Sequence, residues 1–181
     1  MDTIKCITTR HSVRKYSDKK VEKEVLQKVV ETARWAPSWK NTQTTRYIAV
    51  MNPKQKQRIA DEAVLGFKYN QITIGRAPVL IVETTITARS GYENDGSPST
   101  PQGSHWQSFD AGIAANSFVL AAFEEGLGCV IMGIYDEKIV KEILSIPDNQ
   151  SISALIGVGY PEGELKGPKR KEVEELLEFR E

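Results

Sequence analysis

The sequence predicts one domain built of strands and helices, with a sheet covered by helices on both faces. Three observations predict it. The 181 residues suit a single domain. Short apolar runs with strand character alternate with segments of helical period. No repeat, low-complexity tract or linker separates two cores, so residues 1–181 read as one unit. A chain of this size buries about 70% of the surface its unfolded form exposes, and needs neither disulfides nor metal to fold.

Val21, Val25, Leu26, Val29, Val30 and Ala33 recur at helical spacing with Glu22, Lys23, Gln27, Lys28 and Glu31 opposite them. This predicts an amphipathic helix of about 14 residues, with Ser17 and Asp18 as start signals and Pro37 as its stop. Tyr47–Met51 reads as a short buried strand, and Pro53 opens a helix through about Leu65. Pro78–Val82 is a second strand. Residues 88–105 form a polar loop rich in Ser, Gly, Pro, Asn, Asp and Gln, a length usually reserved for functional or mobile segments. Asp110–Glu125 is apolar nearly all round, which predicts a central helix, closed by Gly126-Leu127-Gly128. Cys129–Met132 is a third strand ending at Gly133, Asp136–Leu144 a helix, and Ile152–Val158 a fourth strand. After the turn Gly159–Gly163, an arm over 164–181 carries a polar helix, Glu172–Phe179.

Composition narrows the function. Twenty-four basic and 24 acidic residues balance to zero, which argues against a polyanion-binding protein or a basic membrane-surface binder. Two distant cysteines, Cys6 and Cys129, make no disulfide framework and point to a reducing, cytoplasmic setting. No signal-like N-terminus and no run of about 18 apolar residues is present, so no membrane association is expected. Two histidines without partners at ligand spacing give no metal site. Nucleophile elbows, phosphate loops and dinucleotide fingerprints are absent from the sequence.

Three clusters carry chemistry. Arg10-His11-Ser12-Val13-Arg14 offers two guanidiniums four apart, on one face if helical, with a hydroxyl between them. That set suits a phosphate monoester and an adjacent carbonyl, or equally a solvated basic turn. Pro37-Ser38-Trp39-Lys40-Asn41-Thr42-Gln43 presents neutral donors and acceptors from a turn. At Gly133 the chain leaves a strand where a glycine lets a flat ligand approach the backbone.

In this order the clusters resemble the FMN-dependent nitroreductase family over nearly the whole chain. The resemblance rests on Arg10-His11-Ser12-x-Arg14, Pro37-Ser38-x-x-Asn41-x-Gln43, Asn70 seven residues before Ala77, Gly126-Leu127-Gly128 leading to Gly133, and Lys169-Arg170 before the tail. It implies an α+β fold, a three-layer α-β-α sandwich around a mixed, largely antiparallel sheet. It also implies a homodimer with two interfacial FMN sites. Arg10 and Ser12 would hold the phosphate and ribityl chain with His11 beside them, and Lys169 or Arg170 would complete the phosphate site. Arg14 and Asn70 would face the pyrimidine edge, where a fixed cation stabilises the charge of reduced flavin. The backbone at Met132 and Gly133 would meet flavin N5. Pro37, Ser38, Trp39 and Asn41 would come from the other subunit and cover the ring.

The implied activity is hydride transfer from NAD(P)H, then reduction of a nitroaromatic, quinone or similar small acceptor in ping-pong fashion, with no side-chain nucleophile. The chain departs from the family pattern at Thr44, Met132, Thr73 and the tail Pro168-Lys169-Arg170-Lys171. A reductive dehalogenase, a specialised-metabolite dehydrogenase and a non-catalytic FMN-binding protein are the alternative readings. Basic residues gather at both ends of the chain, Lys5, Arg10, Arg14, Lys15, Lys19 and Lys20 at one, Lys166, Lys169, Arg170 and Lys171 at the other. That distribution suits one small anion held between them.

Overall fold

Asp2 opens the first helix, α1 (Thr3–Thr9), by accepting a hydrogen bond from the Ile4 N–H at 2.8 Å. The computed structural model describes residues 2–163 and 167–181. Helix α2 (Lys23–Ala33) turns Leu26, Val29 and Ala33 inward, as its periodicity predicts. It starts at the Glu22 cap, so Ser17 and Asp18 do not cap it. Strand β1 (Thr45–Val50) leads to α3 (Pro53–Glu62), where the Asn52 side-chain Oδ1 accepts from the Lys54 and Gln55 N–H groups and Pro53 fills the first turn. Helix α4 (Lys68–Arg76) is absent from the sequence reading. Two of its three buried positions are Asn70 and Thr73, so it shows no apolar stripe.

Strand β2 (Val79–Ile86) is buried almost throughout. It outruns the apolar run Pro78–Val82 because Glu83, Thr84 and Thr85 are also fully buried. Helix α5 (His105–Glu124) begins five residues before its predicted start. Strand β3 (Gly128–Met132), helix α6 (Glu137–Leu144) and strand β4 (Gln150–Gly159) follow. The predicted helix Glu172–Phe179 does not form; only a short 3-10 turn, Val173–Glu175, is present. Val173, Leu176, Leu177 and Phe179 are exposed there, and an isolated short helix with nothing to pack on is marginal in water.

The sheet order is β1-β2-β4-β3, antiparallel at every strand pair. Among the described residues its mixed character is confined to one parallel bridge, between Ser12 and Cys129. On one face, Val79, Ile81, Cys129, Ile156 and Val158 pack under α2 and α5, with Phe118 fully buried at the centre. On the other, Leu80, Val82, Val130, Met132 and Leu155 pack under α3, α4 and α6. This is the three-layer α+β arrangement. The register of β2 on β4 steps from Glu83↔Ala154 to Thr84↔Ile152, so Ser153 has no partner on β2. The resulting bulge puts Ile152 on the opposite face from Ala154. Among the described residues no helix is long and apolar enough to cross a membrane.

Candidate functional site

The Arg10–Arg14 segment is extended, not helical, because α1 ends at Thr9. The Val13 N–H donates to the Cys129 carbonyl at 2.9 Å and the Ser12 backbone bridges to Cys129, so this arm lies along the outer edge of β3. Val13 is buried against Gly128, where an added Cβ would stand 2.5 Å from the valine. Tyr16 locks the next bend by donating to the Val13 carbonyl at 2.7 Å, and burial raises its phenol pKa. With Val13 turned inward, alternation puts positions 10, 12 and 14 on the other side of the arm. Extended geometry thus delivers the shared face that helical spacing was expected to give. Among the described residues neither Arg10 nor Arg14 has an ion pair or side-chain hydrogen bond.

The far end of the chain returns to this arm. Gly167 packs so closely on the His11 ring that a Cβ there would overlap it, and buried His11 Nδ1 has no hydrogen-bond partner. The two basic residues that follow differ. Lys169 pairs with Glu172 at 2.9 Å on the surface, whereas Arg170 pairs with none of the described residues. Lys166, expected in the same basic group, lies outside the described residues.

At the other end of β3 the chain opens. The Cys129 carbonyl points to the sheet edge, so strand alternation turns the N–H groups of Ile131 and Gly133 to that edge too. Four residues span about 13 Å from Cys129 to Gly133. Nothing lies within 4 Å of the Cβ position of Gly133. Buried Asn70 of α4 donates its side-chain N–H to the Ile134 carbonyl at 3.1 Å, which brings it to the same place. Met132 turns its side chain into the opposite core, leaving only its backbone here. Thr73 bonds back to the Tyr69 carbonyl at 2.7 Å within its own helix. Cys129 is buried, and desolvation pushes its thiol up to about 12, in keeping with a packing role.

The turn carrying Pro37, Ser38, Trp39 and Asn41 makes its contacts elsewhere in the same chain. Lys40, Asn41 and Gln43 all adopt positive φ (43°, 56° and 48°), a strained run for non-glycine residues. Ser38 Oγ accepts from the Gln43 N–H at 3.0 Å, closing the turn. Asp110 of α5 holds it from below: one carboxylate oxygen accepts from the Trp39 N–H at 2.9 Å and the Ser90 hydroxyl at 2.6 Å. Lys40 pairs with Glu93 at 2.8 Å, and the Trp39 and Trp106 rings lie 4.7 Å apart. The 88–104 segment is therefore a folded partner of the turn. Sequence reading missed Asp110 because it stood only as the first residue of an apolar helix, whereas it lies inside α5 and is buried. It missed Glu83 by ending β2 at the first charge. The signal available was a carboxylate adjoining an apolar run, of strand β2 for Glu83 and of helix α5 for Asp110.

Comparison with known proteins gives the lineage. The model of the nitroreductase family matches residues 7–72 and 62–160. A protein of Archaeoglobus fulgidus, provisionally named an NADH dehydrogenase/NAD(P)H nitroreductase, is 29% identical over 90% of this chain and 87% of its own length. A nitroreductase family protein of Streptococcus pneumoniae superposes with a TM-score of 0.84 at 26% identity, covering 99% of this chain and 100% of that one. A Clostridium difficile structure described as an FMN-dependent nitroreductase reaches 0.77 at 28% identity, with 98% of each chain covered. The free arginines on an arm beside β3, the open glycine at its end and these matches together establish that the chain belongs to the nitroreductase family.

Proposed function

We propose that this oxidoreductase is FMN-dependent, takes hydride from NAD(P)H and reduces nitroaromatic, quinone or similar acceptors in two half-reactions at one site. The observation that carries the reading is the row of unsatisfied groups along β3. Free Arg10, the exposed Ser12, the orphaned His11 nitrogen and free Arg170 lie toward one end, and free Arg14 follows Ser12 on the arm that runs beside β3 in the parallel sense. The uncovered Gly133 and Asn70 lie at the other, about 13 Å away, a span suited to a phosphate tail and a flat ring. These residues fit FMN. Bound there, FMN supplies a ring that accepts hydride and passes electrons on.

The chain's own work is placement. Arg10, Ser12 and Arg170, with Lys169 once it leaves Glu172, hold the phosphate by charge-assisted hydrogen bonds. His11 fixes the C-terminal arm beside it. Arg14 stabilises negative charge at the pyrimidine edge, with Asn70 as a neutral neighbour. The outward Gly133 N–H donates to the ring, and the Met132 backbone lines the approach. In a homodimer, the Pro37, Ser38, Trp39 and Asn41 turn of a second copy closes over the ring and excludes water. The three left-handed residues fix that turn's shape before it meets its target. Buried, unpaired Cys6 and Cys129 suit work in the reducing cytoplasm.

An absorbance spectrum of the purified protein tests this directly. A yellow protein, or one that turns yellow on reconstitution with FMN, is expected, and anaerobic mixing with NADH or NADPH should bleach it at a catalytic rate. A protein that stays colourless after reconstitution, or that NAD(P)H does not bleach, would overturn the proposal.

A further inference from the structure

A carboxyl group lines a cavity that reaches Ile131 of β3, two residues before Gly133. Glu83 is 1% exposed, and its Oε1 has no hydrogen-bond partner. It lines a cavity of about 300 Å³ that runs from β2 across Ala154 of β4 to Ile131 of β3, roofed by Gln107, Ser108 and Gly112 of α5. The bulge at Ser153 sits beside it and turns extra polar surface inward; Ser151 and Ser153 both line the cavity. Glu83 pairs with Ala154, and carrying the register one residue beyond the last pair of β3, Met132↔Leu155, would set Ala154 opposite Gly133. Glu83 and Gly133 therefore share one row across the sheet, about 10 Å apart. The strand between them contributes the small Ala154, and nothing lies within 4 Å of the Cβ position of Gly133.

We propose that Glu83 is a catalytic acid of the reduction, donating its carboxyl proton to an oxygen of an acceptor that lies over Gly133 and reaches across Ala154. This rests on the FMN-dependent reading above. A quinone takes two electrons and one proton as the hydride that the nicotinamide donor supplies, and needs one more proton on oxygen to become the hydroquinone. The Glu83 O–H bond breaks, an acceptor O–H bond forms, and the carboxylate is reprotonated from solvent at the exposed Ser108 rim. The surroundings keep the group in its acid form. Desolvation pushes Glu83 up to about 8, and no cation lines the cavity among the described residues. Tyr47 of β1 and Tyr135 after β3 are the titratable groups that feel its charge, and burial raises both above the usual tyrosine range.

Duroquinone, a neutral quinone without a site for thiol addition, is the probe. In stopped flow at neutral pH, the ratio of duroquinone reduction to NADH-driven bleaching should fall about a hundredfold in Glu83→Gln. It should partly recover in Glu83→Asp, and in wild type it should decline above about pH 8. A Glu83→Gln ratio equal to wild type overturns the proposal while leaving the flavin reading intact. Absence of NADH bleaching in wild type overturns the flavin reading itself, and this proposal with it. Infrared spectra of donor-free wild-type protein give a readout independent of turnover. A protonated-carboxyl band at neutral pH, shifted by duroquinone, is expected; no such band, or one that duroquinone leaves unmoved, sinks the assignment even if the variants fail to fold.

Discussion

Arg14 and Glu83 carry the two proposed roles of single side chains, binding and acidity. Arg14 is exposed on the outer side of the β3 arm and has no partner among the described residues, so its removal leaves no broken contact inside the fold. Arg14→Ala should therefore keep the fold and weaken FMN retention by about ten- to a hundredfold, the worth of one charge-assisted hydrogen bond. Equilibrium dialysis with free FMN measures it, and wild-type affinity would show that the guanidinium faces something else. Glu83 bears on stability. Its folded pKa of about 8 lies above the unfolded value of 4.5, so between these the folded state binds more protons. Stability should fall as pH rises through that window, by at most about 1.4 kcal/mol per pH unit from this group. Denaturant titrations at several pH values should show a shallower slope in Glu83→Gln.

At the scale of elements, one helix residue ties two loops together. Asp110 accepts from both the Trp39 N–H and the Ser90 hydroxyl, so α5 clamps the 37–43 turn and the 88–104 segment at one point. Asp110→Ala strands two buried donors and should cost about 1–3 kcal/mol. Amide exchange at Trp39 should quicken in the variant, and unchanged exchange would show that Lys40–Glu93 and the paired indoles suffice. Such joints mark the limit of what the sequence makes legible. Helices α2, α3 and α6 were readable because their burial follows a period, and strands β1 to β4 and helix α5 because they are apolar runs. Helix α4 was not, since it buries Asn70 and Thr73, and α1 was not, since it buries only Cys6. The terminal helix failed for the opposite reason: its residues carry apolar side chains with nothing to bury them. Arg10, Ser12, Arg14, Asn70 and Gly133 were named by order and spacing. The placement of Arg10, Ser12 and Arg14 beside β3 was not legible, because it depends on the arm being extended and on which edge of the sheet is free. Glu83 and Asp110 acquire meaning only from contacts made by residues distant in sequence.

For the whole molecule, the exposed apolar residues outline what one copy leaves unfinished. Ile4 and Ile7 of α1, Phe109 of α5, Ile131 of β3, and Val173, Leu176 and Phe179 of the C-terminal arm all face solvent in the single chain. If a second copy covers them, sedimentation should give twice the 20.2 kDa chain mass down to micromolar concentration. A stable monomer that still binds FMN would instead require each chain to cover its own ring. The closure of the two chain ends has an evolutionary consequence. Because the imidazole of His11 fills the space a side chain at position 167 would need, the two positions cannot drift independently. A lineage that enlarges Gly167 must first shrink His11, so across descendants of this sequence the pair should change together. Selection for a small anion would then be written as a correlation between residues 156 positions apart.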